Sequence, residues 1–400
     1  MKIVLFGAGK IGRSLVGKIF SSAGHEVVFV DVIDDVINAL NEKHRYKVEI
    51  REAKLETIMI ENVRAVNSKN SEQVASEIAT ADLVATCVGV NNLPNVYSNI
   101  AMGLLKRSAM RKGPLDIIIF ENLRNSSAIF RPGLKQCLPV DYPMDSLVGL
   151  VETSTDKMAV DTPIGIKEQD PLTAYTEAFE TVYVDKKAFK GTIPEVRNLI
   201  PTEDLGAYFD RKFFTLNMGH AITAYLGYLL GISTIWEAID NNYIRKIVES
   251  SMQESGQALI KEYPKEFGES NHQEYIAGLI RRFGNPALGD TVFRVGRDVP
   301  RKLSRNDRLI GALLLDMKYN INAPSIILGV AAAMLFRAKD EKGELSNEDK
   351  HFQDESYSKG VFYVLTNICQ LNVNNPKEDQ VITEIKRVHD SLVKNPKNWA

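Results

Sequence analysis

The first residues of the chain combine a short apolar segment with a run of closely spaced glycines. Residues 2–6 are almost entirely apolar, and the next residues are Gly7-Ala-Gly9-Lys-Ile-Gly12. A helical pattern follows as far as Phe20, and a second apolar segment ends at Asp31. Glycines at this spacing between a strand and a helix are typical of the phosphate-binding turn of a βαβ unit. The sequence therefore predicts a Rossmann-type domain at the start of the chain.

Each glycine of this turn has a predicted physical task. Gly7 permits a tight turn, Gly9 leaves room for a pyrophosphate, and Gly12 lets the helix pack closely on the strand. An ordinary tight turn is the alternative for the glycines taken alone. Asp31 follows Gly12 by 19 residues. A carboxylate there accepts from a ribose 2′-hydroxyl and repels a 2′-phosphate, so NAD is favoured over NADP. The cofactor contacts predicted here are Gly7, Ala8, Gly9, Lys10, Ile11, Gly12 and Asp31.

The α/β pattern continues after this unit. The expected strands are 46–50, 55–60, 82–88, 116–120 and 147–151, with a helix at 71–79. In a parallel sheet the loops at the carboxyl ends of the strands face the ligand crevice. Thr86 and Gly89 are therefore added to the candidate cofactor contacts, and Asn122 to the candidates for cofactor or substrate. For Asn122, a helix cap is the alternative.

A change in the pattern of residues marks the boundary between two predicted domains. Prolines at 163, 171, 194 and 201 interrupt polar segments, with a strand-like stretch at 180–185 between them. Beyond Pro201 the apolar residues recur with a helical period. The helices expected there are 204–231, 235–264, 272–283, 304–318, 324–338, 357–370 and 377–393. We therefore predict an α/β Rossmann-type domain with a mostly parallel sheet over residues 1–200, and an all-α substrate and catalytic domain over 201–400.

Charge and composition narrow the range of partners. A formal net charge of −2 leaves no basic excess for nucleic acid. The longest uncharged run, 213–236, could span a bilayer, but its polar residues and glycines favour a buried helix. The N-terminal apolar run is expected to be a strand and not a leader. Three scattered cysteines fit a reducing compartment, and no His or Cys spacing suggests a metal. We expect a cytoplasmic monomer or homodimer without membrane or nucleic-acid partners.

The stretch from Arg211 to His220 carries the strongest catalytic candidates. Among mostly apolar residues it places an amine on Lys212, a carboxamide on Asn217 and an imidazole on His220. On an α-helix, Asn217 lies about 140° and His220 about 80° from Lys212, so the three share one broad face. Such a face can take the proton of an alcohol, while Asn217 and His220 donate to the oxygen left behind. The alternative is an amphipathic helix with a solvated lysine and a buried histidine.

A second charged group lies at residues 294–308, where six basic residues accompany two acidic ones. We expect this segment to begin as a loop and to enter a helix near Ser304. Guanidinium groups and a helix N-terminus are suited to a phosphate monoester or a polyhydroxylated anion. A surface salt-bridge network is the alternative. The candidate substrate contacts are Arg294, Arg297, Arg301, Lys302 and Arg305.

The pattern Lys212-x4-Asn217-x2-His220 resembles the signature of the polyol-specific long-chain dehydrogenases, the mannitol dehydrogenase family. Further matching pieces extend along the chain: residues 6–9, 11–13, 121–122, 294–297, 301–304, 307–310 and 331–334. The resemblance implies that Lys212 is the general base, that Asn217 and His220 orient and polarise the substrate oxygen, and that Asn122 helps to hold it. It also implies NAD-linked, metal-independent interconversion of mannitol 1-phosphate and fructose 6-phosphate, a sugar phosphate being the small-molecule partner.

Several alternatives remain at this point. Relatives that reduce tagaturonate or fructuronate, or oxidise unphosphorylated mannitol, share the catalytic pattern. Tyr208-x3-Lys212 matches the short-chain dehydrogenase pair, but the glycine spacing does not. The 3-hydroxyacid and 6-phosphogluconate dehydrogenases also join a Rossmann domain to a helical one, with a different Lys and Asn spacing. A non-enzymatic NAD-binding regulator is the remaining alternative.

Overall fold

The structure, a computed structural model, describes residues 1–52, 54–158, 162–397 and 399. The chain forms two compact units, Met1–Tyr208 and Phe209–Ala400. The first contains a mostly parallel sheet with helices, and the second is helical. The predicted fold class is therefore confirmed.

Eight of the eleven strands described in the first unit lie close to predicted positions, whereas the strands at 63–67, 174–176 and 199–202 were not predicted. They are β1 Lys2–Phe6, β2 Glu26–Asp31, β3 Arg45–Arg51, β4 Leu55–Glu61, β5 Val63–Asn67, β6 Leu83–Thr86, β7 Leu115–Ile119, β8 Val148–Thr155, β9 Ala174–Thr176, β10 Val182–Asp185 and β11 Leu199–Thr202. Within the described residues, the main sheet has the order β11-β10-β8-β7-β6-β1-β2-β5. Its neighbours are parallel except β8 and β10. The β3–β4 hairpin joins β9 in a small separate sheet.

Burial on both faces explains why β1 is apolar from Ile3 to Phe6. Ile3 and Leu5 belong to the core on one face of the sheet, whereas Val4 and Phe6 belong to the core on the other. All four side chains are at most 1% exposed. A parallel sheet covered by helices on both sides requires such continuous apolar segments and not an alternating pattern.

The first unit also contains seven α-helical segments within its described residues. They are α1 Lys18–Ser22, α2 Asp34–Lys43, α3 Ser71–Thr80, α4 Pro94–Ala109, α5 Ser126–Gln136, α6 Met144–Leu147 and α7 Ile164–Gln169. A π-helical segment, Gly12–Gly17, precedes α1. Helix α8, Leu205–Arg211, leads from the first unit into the second.

Several helices predicted for the second unit are divided or shortened, whereas those predicted at 272–283 and 377–393 are present in full. Its described α-helices are α9 Met218–Leu229, α10 Ile235–Asp240, α11 Asn242–Glu262, α12 Glu269–Phe283, α13 Val292–Gly296, α14 Val299–Lys302, α15 Ile310–Lys318, α16 Pro324–Met334, α17 Asn347–His351, α18 Val361–Tyr363 and α19 Pro376–Lys394. The helix predicted over 204–231 is divided into α8, a π-helical segment Lys212–Asn217, and α9. The helix expected from Ser304 begins only at Ile310, because residues 303–309 form turns.

The apolar run after residue 213 is buried in the core of this unit. Every residue from Met218 to Gly227 except His220 is buried. Helix α16 packs on α9 so closely that a Cβ on Gly329 would lie 2.6 Å from the Ile222 side chain. The run is apolar because it is covered by neighbouring helices. In the described part of the chain, no helix is long and apolar enough to cross a membrane.

Candidate active site

The glycine turn after β1 has the geometry that the sequence predicts. Gly7 has φ +99°, and a Cβ there would lie 2.8 Å from the carbonyl oxygen of Cys87. A Cβ on Gly12 would lie 2.0 Å from the carbonyl oxygen of Gly7, so a side chain there would collide with backbone. Around Gly9, by contrast, no atom lies within 4 Å of the Cβ position. Backbone atoms therefore leave no room for a side chain at Gly7 or Gly12, whereas the space beside Gly9 is open.

Asp31, at the end of β2, is tied to the glycine turn. Its Oδ2 accepts a hydrogen bond from the amide of Ala8 at 2.6 Å. Its Oδ1 accepts from the amides of Val32 at 2.7 Å and Ile33 at 3.1 Å. The carboxylate therefore fixes the end of β2 beside the turn, as the predicted ribose contact requires.

A cleft of about 360 Å³ lies at the carboxyl ends of β1, β2 and β6. Of the predicted cofactor contacts, the structure places Gly7, Gly9 and Asp31 in its lining. The sequence interpretation missed Val32 and Ile33, whose side chains also line the cleft and are 59% and 54% exposed. The sequence signal that could have identified them is two apolar residues directly after the end of a strand. They offer an apolar surface beside Asp31 for a flat base, so the cleft fits a dinucleotide.

Three further predicted contacts of this unit lie at the edge where β6 and β7 end. Thr86 is fully buried at the end of β6. Gly89 has φ +86°, and its amide and that of Val88 each donate to the carboxylate of Glu121 at 3.0 Å. Burial raises the pKa of Glu121, although these amides oppose the effect. Glu121 therefore holds the β6 loop in place, a role that the sequence interpretation did not assign.

Asn122 follows Glu121 and is exposed. It does not cap the next helix, since α5 begins at Ser126 after Asn125. The first amides of α5, on Ser126 and Ser127, donate to the carboxylate of Glu152 at 3.2 and 3.3 Å. The cap alternative for Asn122 is therefore wrong.

The catalytic candidates of the second unit lie around the π-helical segment. The amide of Met218 donates to the carbonyl of Phe213, five residues earlier. A π-helix has more residues per turn than an α-helix, so Lys212 and Asn217 lie closer to one face than the α-helical estimate of about 140°. Both side chains are partly exposed. Such segments occur frequently at functional sites.

His220 lies one turn further along, in α9. Its Nε2 is buried 3.2 Å from Oδ2 of Asp290, and its side chain is 14% exposed. The imidazole stacks on Phe283 with the ring centroids 4.7 Å apart and the planes 16° apart. Asp290, itself 5% exposed, also contacts the guanidinium of Arg294 through Oδ1. The sequence interpretation missed Asp290, although its spacing of four residues from Arg294 is a usual signal for a helical ion pair.

The surroundings keep the imidazole of His220 uncharged. Burial is the main reason that its pKa falls to about 3. Nearby positive charges lower it further; they belong to Arg294, Arg308, Arg282 and Lys302. Since the free value is about 6.5, His220 is neutral at physiological pH. It can therefore offer one N–H and one lone pair, and not two donors.

Some basic residues of the segment 294–308 form ion pairs with carboxylates. Arg301 contacts Asp298 and lies 3.2 Å from Asp307. Arg305 donates to both carboxylate oxygens of Glu378 at 3.0 and 3.1 Å. For these two arginines the salt-bridge alternative describes the observed contacts.

Lys302, Arg294 and Arg297 have other surroundings. Lys302 is buried and donates to the carbonyl of Arg297. Burial, together with Arg308 and Arg301, lowers the pKa of Lys302 to about 7. Arg294 and Arg297 line a cavity of about 700 Å³ whose other walls include residues 338–342.

Two family matches cover nearly the whole chain. Residues 1–198 match the mannitol dehydrogenase Rossmann domain, and residues 204–392 match the mannitol dehydrogenase C-terminal domain. The chain belongs to the mannitol dehydrogenase family. It is thus a member of a family of NAD-dependent polyol dehydrogenases, and its cofactor is NAD.

Two solved polyol dehydrogenases share its fold. A D-sorbitol dehydrogenase in substrate-free form superposes with a TM-score of 0.84 at 15% identity, covering 98% of this chain and 93% of that one. A Pseudomonas fluorescens mannitol 2-dehydrogenase, in a ternary complex with NAD and D-mannitol, superposes with a TM-score of 0.73 at 16% identity, covering 99% and 92%. At these identities the likeness concerns the fold.

Proposed function

We propose that this protein catalyses the reversible, NAD-dependent and metal-independent oxidation of mannitol 1-phosphate to fructose 6-phosphate, the activity of a mannitol-1-phosphate 5-dehydrogenase. The observation that supports it most is the position of Asp290. Its carboxylate contacts both His220, from the catalytic stretch, and Arg294, from the basic segment. Arg294, whose guanidinium suits a phosphate, and His220, which suits a sugar hydroxyl, are therefore both in contact with the same side chain, that of Asp290.

Lys212 is the proposed general base. It takes the hydroxyl proton of the secondary alcohol while the hydrogen on the same carbon leaves as hydride; in reduction it returns the proton to the carbonyl oxygen. NAD, when bound, supplies the hydride acceptor. General-base work needs an amine that is unprotonated near neutral pH, and apolar surroundings favour that form. Phe214 and Leu216 are buried within the same segment, and we expect them to limit the access of water to the Lys212 amine.

Asn217 and His220 are the proposed ligands of the substrate oxygens. The Asn217 amide donates to the oxygen that becomes negative, which lowers the barrier in the manner of an oxyanion hole. Asn122 is assigned a supporting role there on the strength of the resemblance. Arg294 and Arg297 are the proposed phosphate contacts, with Lys302 beside them. Arg301 and Arg305 are weaker candidates, because they are not among the residues that line the cavity beside Arg294 and Arg297, although Arg294 too contacts a carboxylate, that of Asp290.

The second candidate is an unphosphorylated polyol or a sugar acid as substrate. The pairing of Arg301 and Arg305 with acidic residues favours it, since fewer basic groups then remain for a phosphate. The two solved relatives are described as a sorbitol and a mannitol 2-dehydrogenase. In that case the same Lys212 chemistry operates on a different sugar.

The test is to supply purified protein with NADH and one of three substrates, fructose 6-phosphate, fructose or tagaturonate, and to follow nicotinamide absorbance. We expect oxidation of NADH with fructose 6-phosphate at a kcat/KM well above the other two. Turnover of fructose or tagaturonate but not of the phosphate transfers the assignment to the second candidate. No turnover with any of the three, while NADH still binds, supports a non-enzymatic NAD-binding regulator instead.

A further inference from the structure

Arg211 is a buried cation at the point where α8 passes into the π-helical segment. It is the last residue of α8, and Lys212 is the first residue of the segment. Only 5% of Arg211 is exposed. A charged group loses its hydration when it is buried, so groups of the protein must replace the water around it. The contacts of Arg211 therefore have to stabilise its positive charge.

Two aromatic rings and a carboxamide contact the guanidinium. Its carbon, Cζ, lies 4.7 Å from the centroid of the Phe267 ring and 4.2 Å from that of the Tyr275 ring. Its Nη1 donates to Oδ1 of Asn271 at 3.4 Å. The faces of aromatic rings attract a cation, most strongly where water is excluded, and Phe267 is only 4% exposed. Since these residues lie on α12 or just before it, Arg211 attaches the start of the π-helical segment to that part of the chain.

The residue before Arg211 contacts the same part of the chain. The hydroxyl of Tyr263 donates to Oδ2 of Asp210. Tyr263 directly follows α11, and its ring packs edge-on against the Phe267 ring with the centroids 6.1 Å apart. Asp210 and Arg211 together therefore fix the end of α8 against the connection between α11 and α12.

The π-helical segment thus lies between two anchored ends. At its far end, α9 packs so closely on α11 that a Cβ on Gly219 would lie 2.1 Å from the Met252 side chain. A return to α-helical hydrogen bonding would rotate the end of α8 relative to α9. Arg211 opposes this rotation, because its guanidinium would have to leave both rings.

We propose that Arg211 is a positioning residue, which holds the π-helical segment in the register that brings Lys212 and Asn217 toward one face. The inference rests on the proposed function for the tasks of those two side chains. Arg211 needs no contact with the substrate in this role, since its guanidinium meets the rings of the second unit. A displacement of about 1 Å in a catalytic group can lower a rate about 100-fold, so the register has a direct effect on turnover.

Four variants separate the ring contacts from charge alone. R211K keeps the positive charge but loses the planar guanidinium that lies over the rings. Y275L keeps Arg211 and removes one ring, whereas Y275F keeps the ring and is the conservative variant. R51K is the matched control, because Cζ of Arg51 lies 4.3 Å from the centroid of the Tyr175 ring in the first unit.

Backbone hydrogen exchange, followed by mass spectrometry, tests the register without any substrate. In R211K and Y275L, peptides that cover residues 212–218 should exchange at least about 10-fold faster than in the wild type. Y275F and R51K should exchange as the wild type does. Unchanged exchange at 212–218 in both R211K and Y275L overturns the proposal. Faster exchange throughout the second unit, with no excess at 212–218, overturns it as well.

Activity on whichever substrate the wild type turns over gives a second measurement. R211K and Y275L should lower kcat about 10- to 100-fold while the KM for NAD changes less than about 2-fold. Y275F should retain most of the wild-type kcat, and equal losses in Y275F and Y275L contradict the ring contact. If the wild type turns over none of the sugars, the proposed function fails, whereas the exchange result on Arg211 still stands.

Discussion

The glycine turn and the proposed catalytic helix, residues 212–229, differ in the groups that would perform their tasks. In the turn, the work falls to the backbone: Gly7 and Gly12 are held against carbonyl oxygens, and Gly9 stays open. In the helix, side chains would perform the task, and their partners come from distant parts of the sequence. His220, for example, contacts Asp290 and Phe283. A backbone-built site tolerates few residue types, whereas a side-chain site depends on which groups the fold brings together.

This difference predicts how each region fails. A change in the glycine turn should disturb binding and, where packing is tight, stability. A change in the catalytic helix should disturb the reaction and leave the fold and cofactor affinity largely intact. Variants in the two regions can therefore confirm or contradict the distinction.

The largest effect is expected from Lys212→Ala. Loss of a general base lowers turnover by about 10³- to 10⁴-fold. NAD binding, measured by fluorescence titration, should change less than about 3-fold, because the predicted NAD contacts lie in the other unit. The exposed Lys246→Ala on α11 is the control and should retain full activity. If Lys212→Ala keeps most of its kcat, the base is another group.

The second prediction compares two glycines of the same turn. Gly12→Ala places a Cβ 2.0 Å from a backbone oxygen, so it should cost about 1–3 kcal/mol of stability and weaken NAD binding. Gly9→Ala meets no protein atom and should leave Tm unchanged while weakening NAD binding at least about 10-fold.

Thermal unfolding and NAD titration of both variants test this separation. Gly113→Ala, where a Cβ also meets nothing within 4 Å, is the control for an open glycine outside the turn and should change neither quantity. A Gly9→Ala variant with normal NAD affinity would mean that the open side of the turn does not face the pyrophosphate.

Much of the fold could be predicted because local patterns determine it. β1 is apolar after Lys2 since both of its faces are buried, and the glycine spacing between a strand and a helix is typical of one kind of turn. The π-helical segment at 212–217 could not be predicted, because nothing in Lys-Phe-Phe-Thr-Leu-Asn departs from an α-helical pattern. The start of the helix expected from Ser304 was wrong for a similar reason, since turn-forming contacts of residues 303–309 are not visible in periodicity.

The candidate site was predictable only in part. Lys212, Asn217 and His220 are close in sequence, so one motif identified all of them. Asp290 and Glu121 act through contacts with segments far from them in the chain, and a carboxylate alone does not reveal its partner. The pairing of basic residues in segment 294–308 with carboxylates could not be predicted for the same reason. Its charge is unbalanced along the sequence, whereas Glu378, 73 residues away, pairs with Arg305.

A smaller effect, on cofactor preference, is expected from a change at Asp31. Its side chain accepts a hydrogen bond from the glycine turn. Asp31→Asn keeps one of the two oxygens that accept from the amides of Ala8, Val32 and Ile33, and it loses the other together with the negative charge. The preference for NADH over NADPH, measured as a ratio of kcat/KM, should fall about 10-fold because the 2′-phosphate is no longer repelled. The wild type must prefer NADH for this to hold. Equal rates with both cofactors in the wild type refute the role of Asp31.

The smallest predicted effect concerns acid stability in the side-chain region. The folded pKa of His220 is about 3, below the value of about 6.5 in an unfolded chain. The unfolded state therefore binds more protons below pH 6.5, and stability falls as the pH falls through that window.

His220→Gln should lose about 1 kcal/mol less free energy of unfolding than the wild type between pH 7 and pH 5.5. Urea unfolding at the two pH values measures this difference, with His351→Gln as an exposed control. If wild type and His220→Gln lose stability equally, the imidazole takes up a proton in the fold. The contact with Asp290 would then be an ion pair, because a nearby carboxylate favours the protonated imidazole.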